Sequence, residues 1–419
     1  MNSLDFEKLE RDTMAIARKK LCHVGFKDII QCPRLGTGGH YDGIFLWDTA
    51  FTCMWAKYYM DELPVHTSLD NLYRLQQEDG FIYRQYTADG IPEFPKYHPS
   101  SFAPPILSWV EWDLYELCGD RKRLARVYPH LKAFHRYCEK TFKMEDGLYM
   151  GNHLGCGMDN LPRWPRDFKG EGDFIQLDPK DIYTDAARDW YCGGIRGSIE
   201  EKWNKQGRFI DLSAQMALDA RMLMQMAELL GLEADGCDFQ KEYDELAATL
   251  NETCWSEEDS FYFDLGFGKQ VDRFHIGAYW CLIAGIVPAE KVDRFCSHLS
   301  DPKKFGRPVP VPSLAADDPD YNPVGEYWRG SSWAPTTYMV LKGLQVVGKT
   351  NLARNLAEKY VQAVYDLLLE SGTIWENIAP EKAAAGHWSG PDFCGWSGLG
   401  SVAIPREFLT KVLTQSKEH

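Results

Sequence analysis

The chain lacks most of the signatures by which a sequence announces a metal, a nucleotide, a membrane or a nucleic acid. Its 12 cysteines run from Cys22 to Cys394 without a C-x-x-C pair, and neither they nor the 11 histidines gather at ligand spacing, so no metal site is expected. Cys53, Cys118 and Cys281 stand inside apolar helical stretches and read as buried thiols of a reducing compartment. No apolar run approaches the roughly 20 residues of a membrane span. Met1 to Lys20 is charged throughout and has no apolar h-region, which makes a cytoplasmic location the expectation. There is no P-loop and no G-x-G-x-x-G opening a helix after a strand, so no nucleotide or other organic cofactor is expected. Gly395-Trp396-Ser397-Gly398 lacks the spacing of a nucleophile elbow. Basic residues are in deficit, 46 Lys and Arg against 61 Asp and Glu, and the net charge of -15 repels phosphate backbones and anionic membrane surfaces. Small molecules are left as the natural ligands. No Pro/Ser-rich linker or composition break divides the chain, and residues 1–419 are expected to form a single catalytic domain.

Helical periodicity dominates what is present. Between Leu212 and Gly231, Leu212, Met216, Ala220, Leu223, Ala227 and Leu230 recur at steps of three and four. Glycine stops the pattern there, and again at Gly119 and Gly348, while Pro105 and Pro335 stand near helix starts. Further helices are predicted at about 3–19, 48–60, 66–77, 124–141, 236–251, 275–285, 289–299, 351–370 and 395–411. Strand signals are short: Phe261-Tyr262-Phe263 and Gly80-Phe81-Ile82-Tyr83. The expected class is therefore all-α. A dozen helices in successive hairpins, joined alternately by short turns and long loops, is what an (α/α)6 toroid requires. The long loops fall near 32–48, 78–104, 143–208, 305–334 and 372–396, and loops of that length usually carry function.

Two acids in those loops stand out. Asp159 lies in Gly157-Met158-Asp159-Asn160-Leu161-Pro162-Arg163-Trp164, and Glu376 in Ile374-Trp375-Glu376-Asn377. Cleaving a glycosidic bond takes one carboxyl that protonates the leaving oxygen and a second, ionised one that activates water or attacks the anomeric carbon. Trp164 and Trp375 offer flat faces for a sugar ring and a poorly hydrated wall that raises a carboxyl pKa. The 14 Trp and 21 Tyr exceed what a core needs and suit the C–H faces of sugars.

Four segments in order carry a family resemblance: Gly39-His40-Tyr41-Asp42-Gly43-Ile44-Phe45-Leu46-Trp47-Asp48-Thr49-Ala50-Phe51, Asp159 to Trp164, Tyr327-Trp328-Arg329-Gly330-Ser331-Ser332-Trp333, and Trp375-Glu376-Asn377 followed by Gly395-Trp396-Ser397. From about residue 30 onward the sequence resembles glycoside hydrolase family 63, and more distantly the trehalases. The resemblance implies an inverting exo-α-glycosidase with its general acid at Asp159 and its general base at Glu376. The compact, toroid-only relatives include hydrolases of mannosylglycerate and glucosylglycerate, so the implied substrate is one of these or an α-gluco-disaccharide. Asp48 reads either as a helix N-cap or, in family context, as an anchor for sugar hydroxyls. Arg163 is expected on sugar hydroxyls or on another acid. Arg329, beside the permissive Gly330, reads as a charged fork for substrate or as the ion-pair partner of Glu326. Trp333 and Trp396 read as ring platforms or core, and Asn160 as a substrate contact or a loop brace. Tyr41, Trp47, Gln85 and Trp328 complete the expected substrate-binding set. Arg34, Tyr41, Arg84, Gln85, Tyr86 and Arg196 are candidates for reading a glycerate carboxylate, and the loop from Pro165 to Arg208 for the leaving-group pocket. Glu381 is the alternative base but is expected to be solvated, and Asp42 and Asp392 read as turn residues. Two other classes compete: a sugar 2-epimerase on a similar toroid, which would need histidine pairs where only His153 is near, and a non-catalytic carbohydrate-binding protein.

Overall fold

In the computed structural model, the described residues are 4–26, 28–39, 41–94, 96, 101–151, 155–163, 207–266 and 268–410. The chain is mostly helical. In order come α1 (Phe6–Lys19), α2 (Leu46–Ala56), α3 (Val65–Arg74), α4 (Leu107–Cys118), α5 (Arg121–Phe142), α6 (Ile210–Leu230), α7 (Glu233–Thr253), the short α8 (Trp280–Ile283), α9 (Ala289–Ser297), α10 (Ala334–Val346) and α11 (Thr350–Ser371). Two π-helical turns, Leu399–Ala403 and Pro405–Leu409, finish the described chain.

Burial separates the helices into two kinds. Every residue of α2 is buried, whereas α7 buries only Phe239, Glu242, Leu246 and Leu250, one stripe at helical spacing. An all-round apolar helix must be enclosed, and a one-stripe helix lies on the outside. The contacts agree: α2 packs on α4, α4 on α6, α6 on α8, α8 on α10, α10 on the first π turn, and that turn on α2 again, closing a ring. Against this ring lie α3 on α2, α5 and α7 on α6, α11 on α10, and α1 on the π turn. Aromatic rings bridge the enclosed helices: Trp109 meets Phe51, Trp280 and Tyr338 at centroid distances of 6.0, 5.8 and 6.0 Å, and Trp280 meets Trp47 at 6.0 Å.

The helix stops follow the sequence signals. Gly119 and Gly231 cap α4 and α6 in the left-handed conformation, at φ 69° and 79°, which glycine adopts without steric cost. Pro129 departs from the rules, because it sits inside α5. Of the two strand signals, Phe261–Tyr262 pairs with Trp255–Ser256. Residues 80–83 form no strand; just downstream, Gln85–Tyr86 pairs with Ile44–Phe45. That two-residue ladder sets Arg84 and Gln85 beside the start of α2. Cys53 and Cys281 are buried as expected, but Cys118, at the last position of α4, is exposed. Among the described residues no helix is long and apolar enough to cross a membrane.

Candidate active site

A cavity of about 180 Å³ opens where chain segments enter the enclosed helices, lined by Thr37, Tyr41, Phe45, Trp47, Asp48, Arg84, Gln85, Gly157, Asp159, Tyr327, Trp328, Glu376, Phe393 and Trp396. Trp47 and Asp48 belong to the first turn of α2; Arg84 and Gln85 precede α4, Asp159 precedes α6, Tyr327 and Trp328 precede α10, and Glu376, Phe393 and Trp396 precede the π turns. Side chains more than 300 residues apart thus meet at one end of the ring.

Glu376 is held most firmly. Its N–H donates to the Gly390 carbonyl at 2.9 Å, its Oε2 accepts the Gly390 N–H at 3.1 Å, and its Oε1 accepts the Tyr327 hydroxyl at 3.3 Å. Trp396 Nε1 and Ser397 Oγ both donate to its carbonyl at 3.3 Å. The glycines of this last segment are steric necessities: a Cβ on Gly395 would lie 1.9 Å from the Thr37 carbonyl oxygen, and one on Gly398 would lie 2.3 Å from the Trp55 ring. Tyr327 reaches Glu376 from a left-handed backbone, φ 55°, a conformation that costs a non-glycine residue about 1–2 kcal/mol. Such strain concentrates at functional sites.

Three carboxyls share this poorly hydrated space with the Arg84 guanidinium. Burial raises Glu376 to about 7, against the donors from Gly390 and Tyr327 that favour its anion, with Asp159 adding to the rise. Burial also raises Asp48, to about 8, with Glu376 pushing further up and Arg84 pulling down. Asp159 is raised by burial and lowered by Arg84 and by its own backbone N–H. The site therefore retains protons near neutral pH, as a low-dielectric pocket must when several like charges meet. Among the described residues no group of three His, Cys, Asp or Glu could hold a metal ion.

Residues 41–397 match the family model described as mannosylglycerate hydrolase MGH1-like glycoside hydrolase domain. The chain belongs to this glycoside hydrolase family. An uncharacterized protein of Borreliella burgdorferi is 24% identical over 395 residues, covering 91% of this chain and 75% of its own. The mannosyl-oligosaccharide glucosidase of Saccharomyces cerevisiae is 25% identical over 213 residues, 45% of this chain and 25% of that protein. The fold matches a family 63 mannosylglycerate hydrolase from Thermus thermophilus, solved with glucose, with a TM-score of 0.70 at 20% identity, covering 94% of this chain and 99% of that one.

Within this glycoside hydrolase, the sequence-derived site residues divide into those that reach the cavity and those that brace it. Tyr41, Trp47, Asp48, Gln85, Asp159, Trp328, Glu376 and Trp396 line it. Asp48 is not an N-cap: α2 begins at Leu46 and makes no side-chain cap hydrogen bond. Arg163 does not reach the cavity, since it is fully buried and its guanidinium is taken up by Asp211 and Asp264. Trp333 is also fully buried, stacked on Trp328 at 4.1 Å with 4° between ring planes, and so backs a cavity wall without forming it. Arg329 donates to the Asn160 carbonyl at 3.4 Å, not to a sugar position. Gly330 serves the turn itself, at φ 130°, where a Cβ would meet the Asn322 carbonyl oxygen at 2.7 Å. Asn160 is a brace between loops. Trp375 points away from the cavity and donates to Ser371 Oγ at 2.9 Å.

Of the carboxylate-reading candidates, Arg84 lines the cavity beside Tyr41 and Gln85. Arg34 is buried against the carbonyls of Asp42 and Gly43, and the hydroxyl of Tyr86 bonds to the Tyr83 N–H. Glu381 lies away from the cavity and stays partly exposed, its oxygens paired with Arg307 at 2.9 and 2.5 Å and one of them accepting from Tyr321. Asp392 accepts from Thr373 in a turn, and Asp42 is exposed. His40, His153, Trp164, Arg196 and the segment 164–206 lie outside the described residues. Sequence reasoning did not assign Thr37, Phe45, Gly157, Tyr327 and Phe393 to the site; Phe45, Gly157 and Tyr327 stand within the segments singled out above, whereas Thr37 and Phe393 had no signal beyond their long loops.

Proposed function

We propose that the protein is an inverting exo-α-glycosidase that releases one hexose from a small α-glucoside or α-mannoside, with Asp159 as general acid and Glu376 as general base. What carries the reading is that Asp159 and Glu376 face the same small cavity and differ in their partners. Glu376 receives two donors on its carboxylate, which favour the anion that a base must be. Burial raises both carboxyls, and on Asp159 it favours the protonated form that an acid must keep. Asp48, raised to about 8, would anchor sugar hydroxyls from the first turn of α2. The cavity is small and walled by Trp47, Trp328, Phe393 and Trp396, which suits a single ring and so an exo-acting enzyme. The closed ring of helical segments, with outer helices against it, supports an (α/α)6 toroid. No described residue lining the cavity is a histidine, which disfavours an epimerase. A mannosylglycerate or glucosylglycerate substrate rests on the family alone.

Two measurements test this. Asp159→Asn and Glu376→Gln should each lower turnover by at least about 10²-fold, in line with general acid and base contributions; near-normal activity in either removes that residue from its role. On a panel of glucosylglycerate, mannosylglycerate, trehalose, kojibiose, nigerose and maltose, proton NMR should show the β-hexose appearing first. Initial release of the α-anomer would mean a covalent intermediate and would sink the inverting assignment.

A further inference from the structure

No regular element holds Asp159. It follows Gly157, at φ 74°, in an irregular segment, so its position has to be set by side chains: Arg163 and Asn160 tie the segment to two different neighbours, and Arg329 Nε adds a bond to the Asn160 carbonyl at 3.4 Å. On one side Arg163 donates through Nη1 and Nη2 to the two oxygens of Asp211 at 2.7 Å, and through Nε and Nη2 to the two oxygens of Asp264 at 2.8 Å. Its Nη1 also donates to Cys156 Sγ at 3.1 Å. One guanidinium therefore closes the segment on itself and ties it to the first turn of α6. Asp264 completes the anchor by accepting the Ile210 N–H at 2.8 Å.

On the other side stands Asn160, the residue after Asp159. Its Nδ2 donates to the Glu326 carbonyl at 3.1 Å and its Oδ1 accepts the Trp328 N–H at 2.8 Å. An amide can do both at once because it carries a donor and an acceptor in one plane; aspartate would lose the donor and alanine both. The turn it grips stands without it: Ser313 Oγ donates to the Trp328 carbonyl at 2.8 Å and accepts the Gly330 N–H at 3.1 Å, and Trp328 stacks on Trp333. That turn carries Tyr327, the donor to Glu376.

We propose that Asn160 and Arg163 are positioning residues that hold Asp159 in register with Glu376 and touch no substrate, an inference that rests on the acid and base assignment above. Proton transfer works over a reach of roughly 2.6–3.2 Å, and a misplacement of about 1 Å can cost on the order of 10²-fold in rate. Because the turn under Tyr327 has its own hydrogen bonds to Ser313 and Glu376 is held separately by Gly390, loosening the clamp displaces the acid and leaves the base in place.

The two consequences separate on substrates that differ in their need for an acid. In an α-glycosyl fluoride, water attacks the anomeric carbon, its proton passes to Glu376, and the C–F bond breaks to release fluoride without protonation. Asn160→Ala and Arg163→Lys are assayed on the glycoside cleaved fastest in the panel and on the fluoride of the same sugar, with Asp159→Asn as reference. The clamp predicts a fall in kcat of about 10- to 10²-fold on the glycoside, KM within about threefold, and fluoride hydrolysis within about threefold of the unmodified enzyme. Asp159→Asn should show the same split, more deeply. An equal fall on both substrates would mean general structural damage, and a raised KM with kcat kept would mean substrate contact; either overturns the proposal. Asn160 is only half-buried, so its alanine variant decides the matter if Arg163→Lys does not fold. Full activity of Asp159→Asn on the glycoside would overturn the acid assignment and the clamp with it. A split in Asp159→Asn but not in the clamp variants overturns the clamp alone.

Discussion

A carboxyl pushed up by burial is a stability statement as well as a catalytic one. Asp48 ordinarily titrates at 3.8 and is raised to about 8 in the fold. Below 3.8 it is neutral in both states. As pH rises through the window up to about 8, the unfolded chain gives up the proton while the folded one keeps it, so this residue's contribution to stability is progressively lost. Asp48→Asn should therefore raise the unfolding free energy at pH 8 by at least about 1 kcal/mol with no gain at pH 3.5, while abolishing activity; a gain that is larger in acid than at pH 8 would contradict the burial argument. The acid limb of the kcat/KM profile should fall near pH 7, where Glu376 takes up its proton. Tyr327→Phe removes a donor that favours the Glu376 anion, so that limb should move to higher pH, and a shift to lower pH or no shift would deny the hydrogen bond its role. At this scale the sequence discloses residue chemistry better than direction. Asp159 and Glu376 could be picked out because each stands among aromatic, amide and guanidinium groups in a long loop, and the family resemblance added Trp47 and Trp396. Arg163 and Trp333 have the same credentials, yet both point into the core, since nothing in one dimension says which neighbours will compete for a guanidinium or an indole ring.

The helices were legible where local rules decide them. Periodic apolar residues and a closing glycine set the limits of α6 to within two residues. The helical segment after Gly398 was expected, but not its π form, and the ladder between Ile44–Phe45 and Gln85–Tyr86 was not legible, because tertiary partners decide it. Charge joins the elements in a way that periodicity also conceals. Lys57, just past α2, is 5% exposed and bonds Asp113 of α4 at 2.5 Å and Glu407 of the second π turn at 3.3 Å. Lys342 of α10 reaches the same Glu407 at 3.1 Å, and Tyr58 and Tyr338 donate to it. Removing one member of a buried pair strands the other without solvent, at a cost of about 3–5 kcal/mol. Lys57→Met should lose that much in chemical denaturation, and adding Asp113→Leu should recover a large part of it. If the double variant is no better than the single, the penalty does not come from a stranded charge.

The absence of any linker pointed to one unit, but not to how the chain closes on itself, because closure depends on contacts between distant parts of the sequence. Trp55 donates to the Gly395 carbonyl at 2.7 Å across 340 residues. Arg406 grips both oxygens of Glu10 at 2.7 and 2.8 Å, and the Cys394 thiol meets the Thr13 carbonyl at 3.3 Å. A single cluster of buried apolar side chains runs from Leu9 to Ile404. In a ring, each enclosed helix is buried by its neighbours on both sides, so opening any one of them exposes apolar faces on two others. Local loss is then as unfavourable as it is contagious, and the early and late parts of the chain should melt together. Scanning calorimetry of the full chain should show one endotherm with a calorimetric to van't Hoff enthalpy ratio near one. Hydrogen exchange should give α2 and the π turns the same opening free energy as α6. Two resolved endotherms, or a π segment that exchanges far ahead of α6, would show that the ring closes only loosely and that the chain behaves as more than one cooperative unit.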